Sequence, residues 1–189
     1  MGAIADRPYA TIAIVVASCV VWVLLRAGYI AAEKLIVTGP LHGDWWKLLT
    51  SQFAYLNGLY AFVALIAVAI FGWLLERRYG PVLVLGLFLG AGVSGALAAI
   101  ALYPGALVSG ANAGALALLA AWAAPDIRAA RREHYYEGDL LGAGLLAALL
   151  LAIPFALVLS EASWLAGVTG GALGLIVGLG LQFTGRAEL

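Results

Sequence analysis

A chain of 189 residues that is 65% apolar, counting Ala, Val, Ile, Leu, Met, Phe, Trp, Tyr and Cys, and only 11% charged, with a mean hydropathy of +1.04, is not a water-soluble globule, because such domains carry roughly 45–50% apolar and about 25% charged residues. Ten Lys and Arg balance ten Asp and Glu, so there is no basic field to hold nucleic acid or to dock on an anionic membrane surface. The single cysteine, Cys19, excludes both a disulfide framework and a cysteine-based zinc site.

A membrane-spanning helix needs about 20 mainly apolar residues, since roughly 1.5 Å of rise per residue must cross about 30 Å of hydrocarbon. Six stretches meet or approach that length: 9–25, 53–75, 81–102, 106–124, 140–159 and 164–183. The expected architecture is therefore all-α, a polytopic bundle of six transmembrane helices forming a single domain over 1–189, with no room for a separate soluble domain. The first span is the shortest and has room to run on past Arg26. Its only flanking basic residue is Arg7, and it is read as a retained helix rather than a cleaved signal peptide.

After the first span comes an outer connection, 26–52, containing Gly43-Asp44-Trp45-Trp46-Lys47. There the tryptophans sit at headgroup level and Lys47 extends toward water. The second span closes on Glu76-Arg77-Arg78, with Trp73 placed for the aromatic belt just inside. Glycines four apart permit close helix approach in lipid. They occur as Gly86 and Gly90 in the third span, Gly110 and Gly114 in the fourth, and Gly167 and Gly171 in the sixth, where Gly170, Gly174 and Gly178 continue the spacing. These three spans are expected to form a tight core. Between the fourth and fifth spans, 125–139 is polar enough for a solvated loop or a short surface helix.

Every Asp, Glu, Lys and Arg falls outside the six expected spans, as do His42 and His134. Arg7, Arg77, Arg78, Arg128, Arg131, Arg132 and Arg186 lie on one side, against Arg26, Lys34 and Lys47 on the other. The positive-inside rule then places both termini in the cytoplasm, and the expected location is the plasma membrane of a prokaryote. Ion and proton pathways call for ionisable groups within spans, which disfavours a transporter or channel, although a pore for neutral solutes stays open.

The six spans, the outer-loop segment Trp46-Lys47-Leu48-Leu49-Thr50, the second span ending in Gly72-xxx-Glu76-Arg77-Arg78-x-Gly80, the glycine-rich fourth span and Leu165-Ala166-Gly167-xxx-Gly171 in the sixth together resemble the rhomboid family of intramembrane serine proteases. The likeness runs from the first span to Gly178. It implies acyl transfer by a serine of the fourth span and a histidine of the sixth, with a histidine and an asparagine of the second helping to stabilise the oxyanion.

This sequence departs from the family pattern at each of those positions. Aligning Gly110-Ala111-Asn112-Ala113 with the family's glycine-x-serine-glycine puts Asn112 at the nucleophile, and an amide is no hydroxyl nucleophile. Aligning Trp164-Leu165-Ala166-Gly167 with the histidine segment puts Trp164 at the base, and an indole nitrogen only donates. In the second span Tyr55 and Tyr60 stand at the usual histidine positions and Ala64 at the usual asparagine. A serine nucleophile needs a base within hydrogen-bond reach, and losing one member of such a unit costs about 10⁴–10⁶ in turnover. The resemblance thus implies a rhomboid-fold pseudoprotease that binds transmembrane segments of client proteins in the bilayer without cleaving them. No cofactor and no metal are expected, and the oligomeric state is open.

The rival reading is an active serine endopeptidase built on Ser109, three residues before Asn112, and His42 of the outer loop. Against it, Ser109 reads as a helix-start serine and His42 as a surface histidine. For Asn112, an interhelical hydrogen bond or a water-filled pocket is favoured over direct contact with a ligand. Trp164 also suits an interfacial anchor. Tyr55 and Tyr60 are five apart and so off one narrow helical stripe, with at least one expected in packing or in the belt. Trp46, Lys47, Tyr55, Glu76, Arg77, Gly110, Gly114, Gly167 and Gly171 are expected to hold the fold or meet a client.

Overall fold

The structure is a computed structural model and describes residues 7–103, 105–132, 135, 138–156 and 164–184. His134, Arg186 and the expected end of the fifth span at 157–159 lie outside the described residues. Six long helices and one short one run in the order α1 (Tyr9–Arg26), α2 (Lys47–Thr50), α3 (Gly58–Tyr79), α4 (Pro81–Leu102), α5 (Asn112–Arg131), α6 (Leu140–Ala156) and α7 (Trp164–Thr184). By length and composition α1, α3, α4 and the Trp164–Leu181 part of α7 are able to cross a membrane, as expected of an integral membrane protein.

The two remaining long helices fall short for different reasons. The described part of α6 is 17 residues long. Polar residues at both ends of α5, Asn112 at one and Asp126, Arg128 and Arg131 at the other, dilute its apolarity. It is nonetheless the centre of the bundle, with Asn112 through Ala121, Ala123 and Ala124 all buried. Apart from Gly114, the run 113–121 is five alanines and three leucines, apolar residues that admit α3, α4 and α7 around them.

The closest packing is between α5 and α7. A Cβ added at Gly170, Gly174 or Gly178 would run into the backbone of Ala113, Ala117 and Ala121 respectively. Two rows of small residues, each with a four-residue period, therefore mesh backbone to backbone, the packing that lipid-embedded helices favour. Gly170, Gly174 and Gly178 are the continuation of the spacing noted in the sequence; of the Gly167-xxx-Gly171 pair, Gly167 also packs closely, against Asn112 and Leu116, whereas at Gly171 the nearest atom, Leu116 Cβ, would be an ordinary 3.9 Å away. Helix α4 packs on α5 and α7 as expected, but through other glycines: Gly86 and Gly90 face open space while Gly95 approaches Ala113 and Ala166 and Gly92 approaches Gln52. A helix surface seen by lipid has no close partner to select its spacing, so the motif alone does not find the buried face.

Four boundaries or contents differ from expectation. The helix of the second span, α3, starts at Gly58, not 53, because the Asn57 side chain accepts the N–H groups of Leu59 and Tyr60 and caps it, while Ser51–Phe53 forms a 3₁₀ turn. The fourth span starts at Asn112, not 106, because Leu107–Val108 (β2) pairs antiparallel with Val37–Thr38 (β1) of the long loop. That pairing also removes Ser109 from the helix. At the other end α5 continues through Pro125 to Arg131 where a loop was one expectation. Charged residues accordingly enter helices: Arg26 in α1, Glu76 to Arg78 in α3, and Asp126, Arg128 and Arg131 in α5. The backbone ladder satisfies its own polar groups beyond the apolar stretch, so the helices outlast it.

Candidate functional site

The site is assembled where the chain turns into α5. Gly110 adopts φ +73, and any Cβ there would strike the Tyr60 ring, 2.7 Å from its hydroxyl oxygen. A glycine is required on both counts. Its N–H donates to the Ser51 carbonyl at 2.7 Å, tying the turn to the 3₁₀ turn before α3. Ala111, the residue ahead of the helix, has no side chain able to cap it. The Tyr60 hydroxyl performs that task from α3, accepting the Asn112 N–H at 3.0 Å and donating to the Ser109 carbonyl at 3.2 Å.

Tyr60 is held by a second tyrosine. Tyr55 and Tyr60 are both fully buried, with ring centroids 5.5 Å apart and planes tilted by 57°. Neither is a belt residue. Helical spacing does not separate them because Tyr55 lies before the helix, two residues ahead of its Asn57 cap. Ala64, one helical turn after Tyr60, is also fully buried.

Asn112 is 2% exposed, and neither its Nδ2 nor its Oδ1 has a hydrogen-bond partner among the described residues. Its carboxamide points to α7: a Cβ on Gly167 would lie 2.7 Å from Nδ2 and 2.9 Å from Leu116 Cδ1. Trp164 stands one turn ahead of Gly167 at the start of α7, 40% exposed. Asn112, Tyr60 and Gly167 are thus brought together by three different helices, with Trp164 at the rim. Gly114, the other marked glycine of α5, lies against the Phe88 ring, at 2.6 Å from a would-be Cβ.

The members of the alternative pair differ in exposure. Ser109 is 1% exposed, while His42 is exposed on the loop and has a positive φ of 47. The loop itself is well tied. Trp46 is exposed and donates its indole N–H to the Lys34 carbonyl at 3.4 Å, and Lys47 pairs with Asp44 at 2.8 Å. Sequence reasoning passed over Gln52, which anchors this loop to the bundle by donating to Leu48 and Leu89 carbonyls at 3.1 and 3.3 Å. Its side chain fills the space left by Gly92. The available signal was an amide flanked by Phe53 at the edge of an apolar run.

Among the described residues, the buried carboxylate is at the other end of α3. Glu76 is 6% exposed and accepts the N–H groups of Ala10 and Thr11 at 2.8 Å each and the Thr11 hydroxyl at 2.7 Å. It caps α1, whose own N-terminal residue, Pro8, makes no side-chain cap. Its neighbour Arg77 is exposed and lies over the Trp73 ring, 5.7 Å from the centroid.

Chemically, the junction around Asn112 presents a carboxamide, a phenol and backbone groups. These donate and accept hydrogen bonds, and none is an imidazole, amine or carboxylate. A model of the rhomboid domain matches residues 42–183 of the chain. No curated protein matches it.

Proposed function

From the premise that this chain belongs to the rhomboid family, we propose that it is a member that binds transmembrane segments of other membrane proteins and does not cleave them. The observation that carries the reading is the use already made of the Asn112 N–H. At a helix N-terminus that amide is the natural donor for an oxyanion. Here it is taken by the Tyr60 hydroxyl, at the position where family resemblance expects an oxyanion-stabilising histidine. Asn112 in place of a serine and Trp164 in place of a histidine point the same way.

Distance supports it too. Glu76 follows Tyr60 by sixteen residues on α3, about 24 Å at ~1.5 Å per residue, and is committed to capping α1. It is not a base for chemistry at Asn112. In this reading α5 and α6 also cross the bilayer, giving six spans with both termini on the arginine-rich, cytoplasmic side. The unpaired carboxamide of Asn112 then marks the depth at which a client helix meets polar groups, beside the exposed Trp164. In a bilayer such a group is stabilised by interhelical hydrogen bonds.

The test pairs two measurements on the full-length protein in native membranes: photo-crosslinking from a probe replacing Trp164, and incubation of purified protein with generic rhomboid substrates. Adducts to transmembrane segments with substrates left intact are expected. Cleavage that disappears in Ser109→Ala or His42→Ala overturns the proposal in favour of the rival dyad.

A further inference from the structure

The helices α1 and α3 leave a groove along their outer seam. Near one end Thr11 fits into the space at Gly72, with its Oγ1 2.9 Å from a would-be Cβ; at the other the Trp22 ring lies 3.5 Å from the corresponding point on Gly58. Between the contacts the wall is built from small residues, Cys19 and Ala61 toward the Trp22 end and Ala69 midway. Two hollows open there, of about 400 and about 270 Å³, sharing Val15 and Ala69 as common floor. They reach from Pro8 to Trp22, about 21 Å along α1 at ~1.5 Å per residue.

The groove is bounded at each end by the same device. Arg26 lies over Trp22 at 5.8 Å and Arg77 over Trp73 at 5.7 Å, each pair four residues apart on its helix. Tryptophan and arginine stacked at a helix end mark the level of lipid headgroups. Two features select a lipid chain over a helix as occupant. The rims are bulky and exposed, with Phe62 at 64% and Val16 at 54%, whereas helices dock through small residues that let backbones approach. The Arg26 guanidinium also lies over Trp22, which lines the larger hollow, and so is near a phosphodiester whose acyl chain lies inside.

We infer that the α1–α3 groove is a phospholipid site: one acyl chain occupies the hollow lined by Val15, Cys19, Ala61 and Ala69, and the lipid phosphate is held by Arg26. The guanidinium presents a planar fork of donors suited to phosphate oxygens. Burial of each methylene contributes about 0.8 kcal/mol, but the surrounding bilayer offers the same, so preference arises from the Arg26 contact and from filling a space that a straight helix pair would otherwise leave loosely packed.

The test uses the full chain in vesicles doped with a phospholipid carrying a photoreactive diazirine in its acyl chain. Adducts mapped by mass spectrometry are expected to concentrate at Val15, Cys19 and Phe62 and to fall severalfold in Ala69→Phe, which fills the floor, and in Arg26→Gln, which removes the phosphate partner. Arg26 is exposed, so that variant keeps the fold, and a melting curve on each variant checks that it does. Even labelling over α1, α4 and α6, or no change in either folded variant, overturns the inference. So does recovery of a protein helix in the groove in place of lipid.

Discussion

Tyr60 of α3 caps α5 at Asn112. Its hydroxyl accepts the Asn112 N–H at 3.0 Å while donating to the Ser109 carbonyl at 3.2 Å, so one phenol closes both sides of a turn that Gly110 makes at φ +73. Removing it leaves the Asn112 N–H without this acceptor and takes one donor from the Ser109 carbonyl, and a buried group that loses its hydrogen bond costs roughly 1–3 kcal/mol. Tyr60→Phe keeps the ring contact with Tyr55 and deletes only the hydroxyl. Its melting temperature is expected to drop, with amide exchange rising first at residues 109–113; an unchanged melt would mean the hydroxyl does not hold the turn.

Glu76 and Thr11 join α3 to α1 through three hydrogen bonds on one carboxylate. Bonds to a charged acceptor contribute roughly 1.5–3 kcal/mol each, and they share the cost of burying it. Glu76→Ala is expected to release the start of α1, read as faster proteolysis and amide exchange near residues 8–14 with little change in α5. Glu76→Gln retains an oxygen acceptor and should fall between the two. Equal protection in all three proteins would refute the cap.

The glycines divide by what faces them. Gly174→Ala drives a methyl into the Ala117 carbonyl, and overpacking of this kind costs about 1–3 kcal/mol. Gly86→Ala meets nothing within 4 Å and should be neutral or gain up to about 1 kcal/mol from helix propensity. Thermal unfolding in one detergent orders the pair, and the reverse order would place the wrong glycines at the interface.

The bundle was largely legible in the sequence because hydrophobic length is a direct consequence of bilayer thickness: 81–102 coincides with α4, and the expected starts at Tyr9, Leu140 and Trp164 are the observed ones. What was not legible depended on pairing at a distance. Nothing local in Leu107–Val108 announces a partner in Val37–Thr38, so the start of α5 was placed six residues early. Glu76 read as the end of a span, since the amides it caps lie about 65 residues away in sequence. At the site, Asn112, Trp164, Tyr60 and Ala64 were picked out by their resemblance to a motif, but the role of Tyr60 as a cap was not, because a phenol in the sequence says nothing about which backbone group it will meet.

Restoring the family's residue types is the sharpest check on the proposal that the site does not cleave. The unmodified protein, Ser109→Ala and His42→Ala are all expected to be equally unreactive toward a fluorophosphonate probe. Asn112→Ser with Trp164→His supplies a hydroxyl on α5 and an imidazole one turn from Gly167, the point on α7 that Asn112 faces. That double variant should gain slow labelling, while either single change should not, since nucleophile and base act as a unit. Proteolysis should still lag, because Tyr60 continues to occupy the amide of residue 112. Adding Tyr60→His frees that amide and supplies a second donor, and an oxyanion donor is worth about 10²–10³ in turnover. A triple variant no faster than the double would show that the occupied amide is not what keeps the site from stabilising an oxyanion, and labelling of the unmodified protein would place the nucleophile elsewhere.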